Sequence, residues 1–266
     1  MNPAGVIFGP GATLNVGGMA TFTTADYLKL NDGKLFCAIP NASTDALLSS
    51  SPVASFGFLG NNPAAIAIEG SILTVANGQS ITLVSGNQGF DYANPDTGIN
   101  AIAPRGVTLT GGHLNAPSGQ INLASVASPG EVVAGTLAHA PNINGQSLGA
   151  LGSISISQQS GIDVSGNGGG TVLIRGGSFV LDNSTVSANI TGPGPVVNGI
   201  ESIGSGIDIQ VKQNVEIRNL GVLETNVTGD ATPGVTYGGV HVKADHLEIL
   251  GTVTLDEAFA GADVFT

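Results

Sequence analysis

The chain has 266 residues, of which 41% are hydrophobic, only 10% are charged and 41 are glycine. Its net charge of −12, from 7 basic and 19 acidic residues, excludes the basic patch that nucleic-acid binding needs. The single cysteine, Cys37, excludes a disulfide framework within the chain, and no apolar run is long enough for a transmembrane helix.

The composition favours short strands. Abundant glycine, asparagine, serine and threonine, together with valine, isoleucine and leucine, are typical of β-strands joined by tight turns. Helical spacing appears only weakly, at Ala42–Leu48 and Asp256–Ala262, and predicts no more than two helical turns. Residues 1–16 lack the basic and apolar regions of a signal peptide, so if the protein is secreted we expect that peptide to lie outside this chain.

The segment from Asp45 to Ala101 is less regular than the rest. It predicts strands at Ile66–Ile68, Leu73–Val75 and Ile81–Val84, and residues 88–100 are predicted to form a surface loop. We expect an antiparallel side sheet in this part of the chain, leaning on the main fold.

The second half alternates apolar and polar residues with a period of two, in short segments bounded by Gly, Asn or Ser. A longer repeat is also present. The sequence Gly-Ile-Asp at Asp163 and Asp208 recurs after 45 residues, and Ile-Arg at Arg175 and Arg218 recurs after 43. Two turns of roughly 22 residues each would account for both spacings, within the range that marks solenoids. A third copy, at Gly239–Val242, follows after only 33 residues and breaks this simple unit.

These patterns predict an all-β coil in which alternate side chains point inward and stack on the neighbouring rungs. A β-sandwich is the structural alternative. It would need hairpins with two-residue turns, and the chain holds suitable sequences at Asn31-Asp32-Gly33 and Asn77-Gly78.

The opening residues carry a resemblance to a known family. Asn2-Pro3-Ala4-Gly5-Val6 resembles the N-P-x-G-[IV] motif of the secretion (haemagglutination activity) domain in two-partner-secretion, filamentous haemagglutinin-like exoproteins. Further stretches resemble the same domain: Leu14–Gly18, Thr23–Asp26, Phe56–Gly60, Gly70–Ser71, Leu73–Val75, Ala116–Val126 and Pro129–Val132. The resemblance covers roughly residues 2–133.

The resemblance implies a right-handed parallel β-helix, a solenoid with a small antiparallel side sheet or extra-helical loops. It implies that residues 1–135 are the C-terminal part of the secretion domain and that residues 136–266 are β-helical passenger rungs. It also implies that Asn2, Pro3 and Gly5 form a structural turn and secretion motif. Ala4 departs from the family, which often has Asn there, so one side-chain hydrogen bond of that turn is in doubt.

The implied function is that of a secreted or surface-exposed, adhesin-like exoprotein of a Gram-negative-type bacterium. Its partners would be an outer-membrane β-barrel transporter of the two-partner type and host or cell-surface glycans or proteins, with no nucleic acid. The family places further residues upstream of the matched motif, so the chain is expected to be N-terminally truncated, with an uncapped first rung that promotes end-to-end self-association.

An enzyme is the alternative, because many parallel β-helices are polysaccharide lyases or hydrolases. Such a site would need paired carboxylates about 5–9.5 Å apart. We expect Asp163 and Asp208 to stack two rungs, or about 10 Å, apart, and interpret both as solvated outward-facing side chains. His241 and His246 are expected on opposite strand faces, which suits no metal site. The sequence therefore predicts no enzyme, no catalytic residue, no metal and no cofactor.

Overall fold

The computed structural model describes residues 1–40, 49–93, 98, 100–134, 141–142, 148–194, 205–228 and 237–250, and every regular element in these ranges is a β-strand. These ranges contain no helix that could cross a membrane. The two predicted helical turns, at 42–48 and 256–262, lie outside the described residues. The strands in chain order are β1 (Val6–Phe8), β2 (Thr13–Val16), β3 (Ala20–Thr23), β4 (Tyr27–Leu30), β5 (Leu35–Cys37), β6 (Val53–Phe58), β7 (Ile66–Glu69), β8 (Ile72–Val75), β9 (Ser80–Ser85), β10 (Asp91–Ala93), β11 (Asn100–Ile102), β12 (Val107–Thr110), β13 (His113–Asn115), β14 (Gln120–Ser125), β15 (Gly130–Ala134), β16 (Pro141–Asn142), β17 (Ser153–Ser157), β18 (Gly161–Asp163), β19 (Gly166–Asn167), β20 (Thr171–Gly176), β21 (Ser178–Asp182), β22 (Thr185–Ser187), β23 (Ile190–Gly192), β24 (Ser205–Val211), β25 (Asn214–Arg218), β26 (Val222–Glu224), β27 (Tyr237–Lys243) and β28 (His246–Leu250).

Among the described residues, six turns of the coil each contribute one strand to each of three parallel sheets, and β28 adds a seventh strand to the first sheet. The first sheet has the order β1-β7-β12-β17-β21-β25-β28, the second has β2-β8-β13-β18-β22-β26, and the third has β3-β9-β14-β20-β24-β27. Neighbouring strands in all three are parallel. The prediction of an all-β parallel β-helix is confirmed, and the β-sandwich is excluded because its strands would pair antiparallel.

The core lies inside the coil, where side chains stack rung on rung. In the first sheet Ile66, Val107, Ile154, Phe179 and Val215 are aligned partners, and all are fully buried. Burial of one such side chain stabilises the fold by about 2 kcal/mol. The alternation seen in the sequence therefore marks which side chains face this core.

The first rung is less buried than those that follow. Val6, Phe8 and Phe22 pack on the core but stay partly exposed, and the rings of Phe8 and Phe22 meet edge to face at 4.9 Å. Among the described residues, β1, β2 and β3 each have a coil neighbour on one side only.

A tight turn joins the first sheet to the second in successive rungs. The residue directly after five of the seven first-sheet strands, β7, β12, β17, β21 and β25, has a positive φ. These residues are Gly70, Gly111, Gln158, Asn183 and Asn219, at +56°, +63°, +58°, +46° and +49°. Glycine tolerates this left-handed conformation, and asparagine does so better than most residues. Glycine and asparagine therefore serve this corner, as the sequence predicted.

A five-stranded antiparallel side sheet, with the order β16-β15-β6-β4-β5, lies outside the coil. Phe56 and Phe58 of this sheet pack with Val84 and Ala124 of the third sheet in a second apolar cluster. A side sheet was predicted between residues 45 and 101, but only β6 comes from that segment. The strands predicted at residues 66–84 instead form β7, β8 and β9, a regular rung of the coil.

The two predicted turn sequences and the predicted surface loop all lie between strands. Asn31-Asp32-Gly33 does make an antiparallel hairpin, between β4 and β5, but in the side sheet. Asn77-Gly78 lies at a coil corner between β8 and β9. The predicted surface loop at 88–100 contains β10, which pairs antiparallel with β11.

The predicted 22-residue unit is wrong. Asp163 lies in β18 of the second sheet, whereas Asp208 lies in β24 of the third, so the two Gly-Ile-Asp segments do not stack. The third copy, which seemed to break the unit, is the one in register, because Ile207 pairs with Val240 and Ile209 with Val242. Rung length varies with the connections, from 25 residues between Ile154 and Phe179 to 60 between Val6 and Ile66.

Candidate functional site

The predicted motif at the N-terminus is one β-turn. The backbone N–H of Gly5 donates to the carbonyl of Asn2 at 3.1 Å, which closes the turn over Pro3 and Ala4. Proline suits its second position because its φ is already restricted. The side chain of Asn2 accepts a second hydrogen bond, from the N–H of Ala4 at 3.2 Å. The structure therefore brings Asn2, Pro3 and Gly5 together, and the turn closes with alanine at position 4.

The turn is held against the coil from three directions. Asn2 donates its N–H to the carbonyl of Thr23 at 2.9 Å, and Val6 donates to Ala65 at 3.2 Å. Gly5 is buried with a φ of +114°, and a Cβ added there would lie 2.3 Å from the ring of Phe90. Asn2 and Ala4, by contrast, are exposed. The motif is thus a rigid turn with a buried glycine and an exposed polar face.

Thr24 ties the same corner together. Its hydroxyl donates to the carbonyl of Ala64 at 2.6 Å and accepts the N–H of Gly86 at 2.9 Å. Thr24 is 1% exposed, so these bonds form in a region where an unmet polar group would be costly. The first rung and the second are therefore joined by a side chain as well as by strand pairing.

A polar cluster on the side sheet gathers residues from three strands. Glu131 of β15 accepts hydrogen bonds from the Tyr27 hydroxyl at 2.8 Å, from Ser55 at 2.9 Å and from the Lys29 ammonium at 3.3 Å. Burial by itself raises the pKa of Glu131, but these hydrogen bonds and the charge of Lys29 outweigh it and lower the pKa. Burial, followed by the hydrogen bond to Glu131, raises the pKa of Tyr27 to about 12.

Tyr27 also explains a glycine in the side sheet. Its ring lies across Gly57 of β6, where an added Cβ would be 2.0 Å from the ring. Sequence analysis noted Phe56–Gly60 and Pro129–Val132 only as resembling the family and missed that Tyr27 links them. The only local signal was the glycine between two phenylalanines in a strand, which marks a close approach.

The acidic pair considered for catalysis does not form. Because Asp163 and Asp208 occupy different sheets, the predicted stacking at about 10 Å is wrong. The interpretation as a solvated side chain holds for Asp163, which is exposed and accepts the N–H of Ser165 at 2.8 Å. It is wrong for Asp208, which is 2% exposed and forms an ion pair with Arg175.

The remaining candidates lie apart from one another. The expectation that His241 and His246 lie on opposite faces of a strand is wrong, because His241 is in β27 of the third sheet and His246 is in β28 of the first. No group of three or more His, Cys, Asp or Glu side chains that could hold a metal occurs in the described part of the chain. Cys37 lies in β5, opposite Tyr27.

The comparisons with known proteins agree with the motif. A family model described as the TPS secretion domain matches residues 1–174, about two thirds of the chain. No curated protein and no solved structure matches the chain. The predicted division at residue 135 stays a prediction. The chain belongs to the TPS secretion domain family, the family of secreted two-partner-secretion exoproteins.

Proposed function

We propose that the N-terminal domain is recognised by an outer-membrane β-barrel transporter of the two-partner type, and that the turn Asn2–Gly5 belongs to the recognised surface. Recognition of this kind takes the exoprotein to the cell surface or the medium of a Gram-negative-type bacterium. The family supports the transporter as partner. The observation that carries the role of the turn is that Asn2 accepts hydrogen bonds from the N–H groups of both Ala4 and Gly5, which hold the exposed face of the turn in one shape.

Secretion of the chain behind a signal peptide, together with a two-partner transporter, tests this proposal. Asn2→Ala removes the side-chain acceptor, and we expect secretion to fall at least several-fold. Asn2→Asp keeps the acceptor, so secretion should largely persist if the transporter recognises the shape of the turn. Asn15→Ala, a change of the same kind at an exposed residue of β2, is the matched control. Equal secretion of Asn2→Ala and Asn15→Ala would contradict the role of the turn.

Once secreted, the coil is proposed to be adhesin-like and to bind cell-surface glycans or proteins through the outer face of its second sheet. Outward side chains are exposed there on successive rungs, among them Asn15, Ile72, His113 and Asp163. The third sheet differs, because β9, β14 and β20 are buried at every residue. On this face Asn15, Thr74, Asn115 and Asp163 are aligned partners, and such a column of polar side chains suits a long, shallow ligand.

Binding to glycan arrays and to host cells tests the adhesive face. The double variant His113→Ala/Asp163→Ala should lose most of the binding. Asp245→Ala/His246→Ala changes the same two residue types at exposed positions elsewhere and should keep it. Equal loss in both variants would argue against the second sheet. Polysaccharide turnover abolished by Asp163→Asn or Asp208→Asn would favour the enzyme alternative.

A further inference from the structure

One ion pair in the described ranges has both side chains nearly buried. Arg175 of β20 contacts Asp208 of β24 at 2.6 Å, with side-chain exposures of 10% and 3%. His241 of β27 contacts the other carboxylate oxygen of Asp208 through Nδ1, at 2.7 Å. The three residues lie on three consecutive strands of the third sheet. The cluster therefore bridges three rungs through one carboxylate.

Further hydrogen bonds to Asp208 come from β20 and from β24 itself. Arg175 also donates to the backbone carbonyl of Asp208 at 2.9 Å, and Gln210 donates its side-chain N–H to the Asp208 carboxylate at 3.0 Å. Asp208 thus accepts bonds at both carboxylate oxygens and at its carbonyl. A buried charge is tolerated when it is paired and hydrogen-bonded in this way.

The apolar core does not by itself determine how these strands align. The inward residues are Val172 and Ile174 on β20, Ile207, Ile209 and Val211 on β24, and Val240 and Val242 on β27. A slip of one residue would turn polar side chains into the core and is strongly disfavoured. A slip of two residues would place valine or isoleucine against valine or isoleucine again. The core therefore excludes alignments that are shifted by one residue, but it distinguishes poorly between alignments that are shifted by two.

The connections that lead to β24 and β27 are long. Twelve residues separate β23 from β24, and twelve separate β26 from β27, whereas only four separate β13 from β14 in an earlier rung. A longer connection costs little more to close than a shorter one, so it can absorb a two-residue shift. The family match ends at residue 174, directly before Arg175. The cluster thus begins where the matched domain ends.

We propose that Arg175, Asp208 and His241 form a register lock, which selects the alignment of the rungs that follow the secretion domain. In the native alignment Asp208 lies opposite Leu173 and His241, and Arg175 lies opposite Gln210. A shift of β24 by two residues that places Asp208 opposite Thr171 keeps the apolar face inward but moves the carboxylate four residues from Arg175 and two from His241. The opposite shift places Asp208 beside Arg175 but also moves it two residues from His241. The first wrong alignment leaves a buried charge unpaired, which is a large penalty, and the second removes one of the two partners of the carboxylate.

The lock is tested with the double variant Arg175→Met/Asp208→Leu, which replaces the ion pair with apolar side chains of similar size. Such replacements commonly keep or raise stability, so we expect the melting temperature to be unchanged or higher. We also expect doubled methyl NMR signals for Ile207 and Ile209, and amide hydrogen exchange at least tenfold faster in β24 and β27. Arg218→Met/Asp182→Leu removes a more exposed, partly buried ion pair between β21 and β25 and is the matched control, for which we expect single signals.

Two results would overturn the lock. One is a folded double variant with single Ile207 and Ile209 signals and wild-type exchange, because alignment would then not depend on the cluster. The other is a double variant that fails to fold, because the cluster would then supply stability rather than selectivity. Asp208→Asn keeps the shape of the side chain but weakens its interactions with Arg175 and His241. We expect it to show the second set of Ile207 and Ile209 methyl signals at lower intensity than the double variant. Neither result depends on the transporter.

Discussion

The hydroxyl of Tyr27 donates a hydrogen bond of 2.8 Å to Glu131, across 104 residues of sequence. The two side chains come from β4 and β15, which flank β6 in the side sheet. Between them the Tyr27 ring covers Gly57. This contact closes a sheet whose opposite face packs on the third sheet of the coil through Phe56 and Phe58. The side sheet is therefore stabilised at β6 on both faces, by the Tyr27–Glu131 contact on one face and by packing against the coil on the other.

Tyr27→Phe tests how much this hydrogen bond stabilises the fold. Removing a hydroxyl that donates to a carboxylate should lower the free energy of unfolding by about 1–2 kcal/mol. Urea denaturation measures the change. Tyr92→Phe is the matched control, since Tyr92 donates a bond of the same length to Glu69 from the β10–β11 hairpin. Faster hydrogen exchange should appear in β4, β6 and β15 for Tyr27→Phe and near β10 for Tyr92→Phe. Exchange unchanged in β15 would contradict the role of Tyr27.

The pKa of Glu131 predicts a dependence of stability on acid. Because its pKa is lowered from the ordinary 4.5 by its hydrogen-bond donors, the charged form is favoured in the folded state. The Glu131 interactions therefore contribute fully to the free energy of unfolding above about pH 4.5. This contribution is lost as the pH falls through the lowered pKa that Glu131 has in the folded protein. Thermal melts between pH 7 and pH 3 should show a smaller acid loss in Glu131→Gln than in the wild type. An identical loss in both proteins would show that Glu131 is not responsible.

Tyr27 predicts a second change, at alkaline pH. Its pKa is raised from 10.0 to about 12, so the protonated form is favoured by folding. The contribution of protonated Tyr27 to the free energy of unfolding is complete below pH 10 and disappears as the pH rises toward 12. The pKa of Tyr92 is raised as well, by burial and by its hydrogen bond to Glu69. Ultraviolet titration of tyrosinate should therefore find late-titrating tyrosine, and Tyr27→Phe should remove the part that titrates near pH 12. A titration of the wild type in which all three tyrosines ionise near pH 10 would refute the assignment.

Gly5→Ala should damage the N-terminal turn. The φ of +114° is unfavourable for alanine, and the added Cβ would meet Phe90 at 2.3 Å. We expect a loss of about 2 kcal/mol in the free energy of unfolding. Gly9→Ala is the control, because nothing lies within 4 Å of its added Cβ. Phe90→Ala in the Gly5→Ala background should recover the part that is due to the clash. No recovery would mean that the backbone strain alone is responsible.

At the corner after the first sheet, two substitutions should change the stability of the fold in opposite directions. Gly111→Ala introduces a side chain at a φ of +63° with only ordinary contacts nearby, so it should destabilise by about 1 kcal/mol. Gln158→Gly relieves the same conformation one rung later and should stabilise by up to about 0.5 kcal/mol after the entropy of glycine is counted. Differential scanning calorimetry measures both. The same sign for both changes would contradict the corner argument.

The first rung predicts self-association. The strands β1, β2 and β3 have one open side each among the described residues, and the side chains of Phe8 and Phe22 are partly exposed there. Open strand edges pair readily with other chains. Light scattering of the purified chain should show concentration-dependent growth, reduced by Asn15→Lys on β2 because a charge on an edge opposes pairing. A monodisperse monomer at high concentration would contradict the prediction.

The amino-acid sequence by itself determined which side chains of each strand face inward and that the strands form a coil. Alternation at Ile154–Ile156 or Val215–Ile217 shows which side chains face inward, because a strand repeats every two residues whatever it pairs with. The N-terminal turn was also predictable, since Asn2, Pro3 and Gly5 act within four residues of one another. Local chemistry is sufficient for such features.

Only the tertiary structure decided which strands are neighbours. Asp163 and Asp208 occupy similar local sequences but different sheets, because the connections between strands differ in length and local pattern does not count rungs. Tyr27 and Glu131, or Arg175 and Asp208, meet only after distant strands have paired. Such contacts depend on the accumulated register of all intervening rungs, which a period of two leaves undetermined.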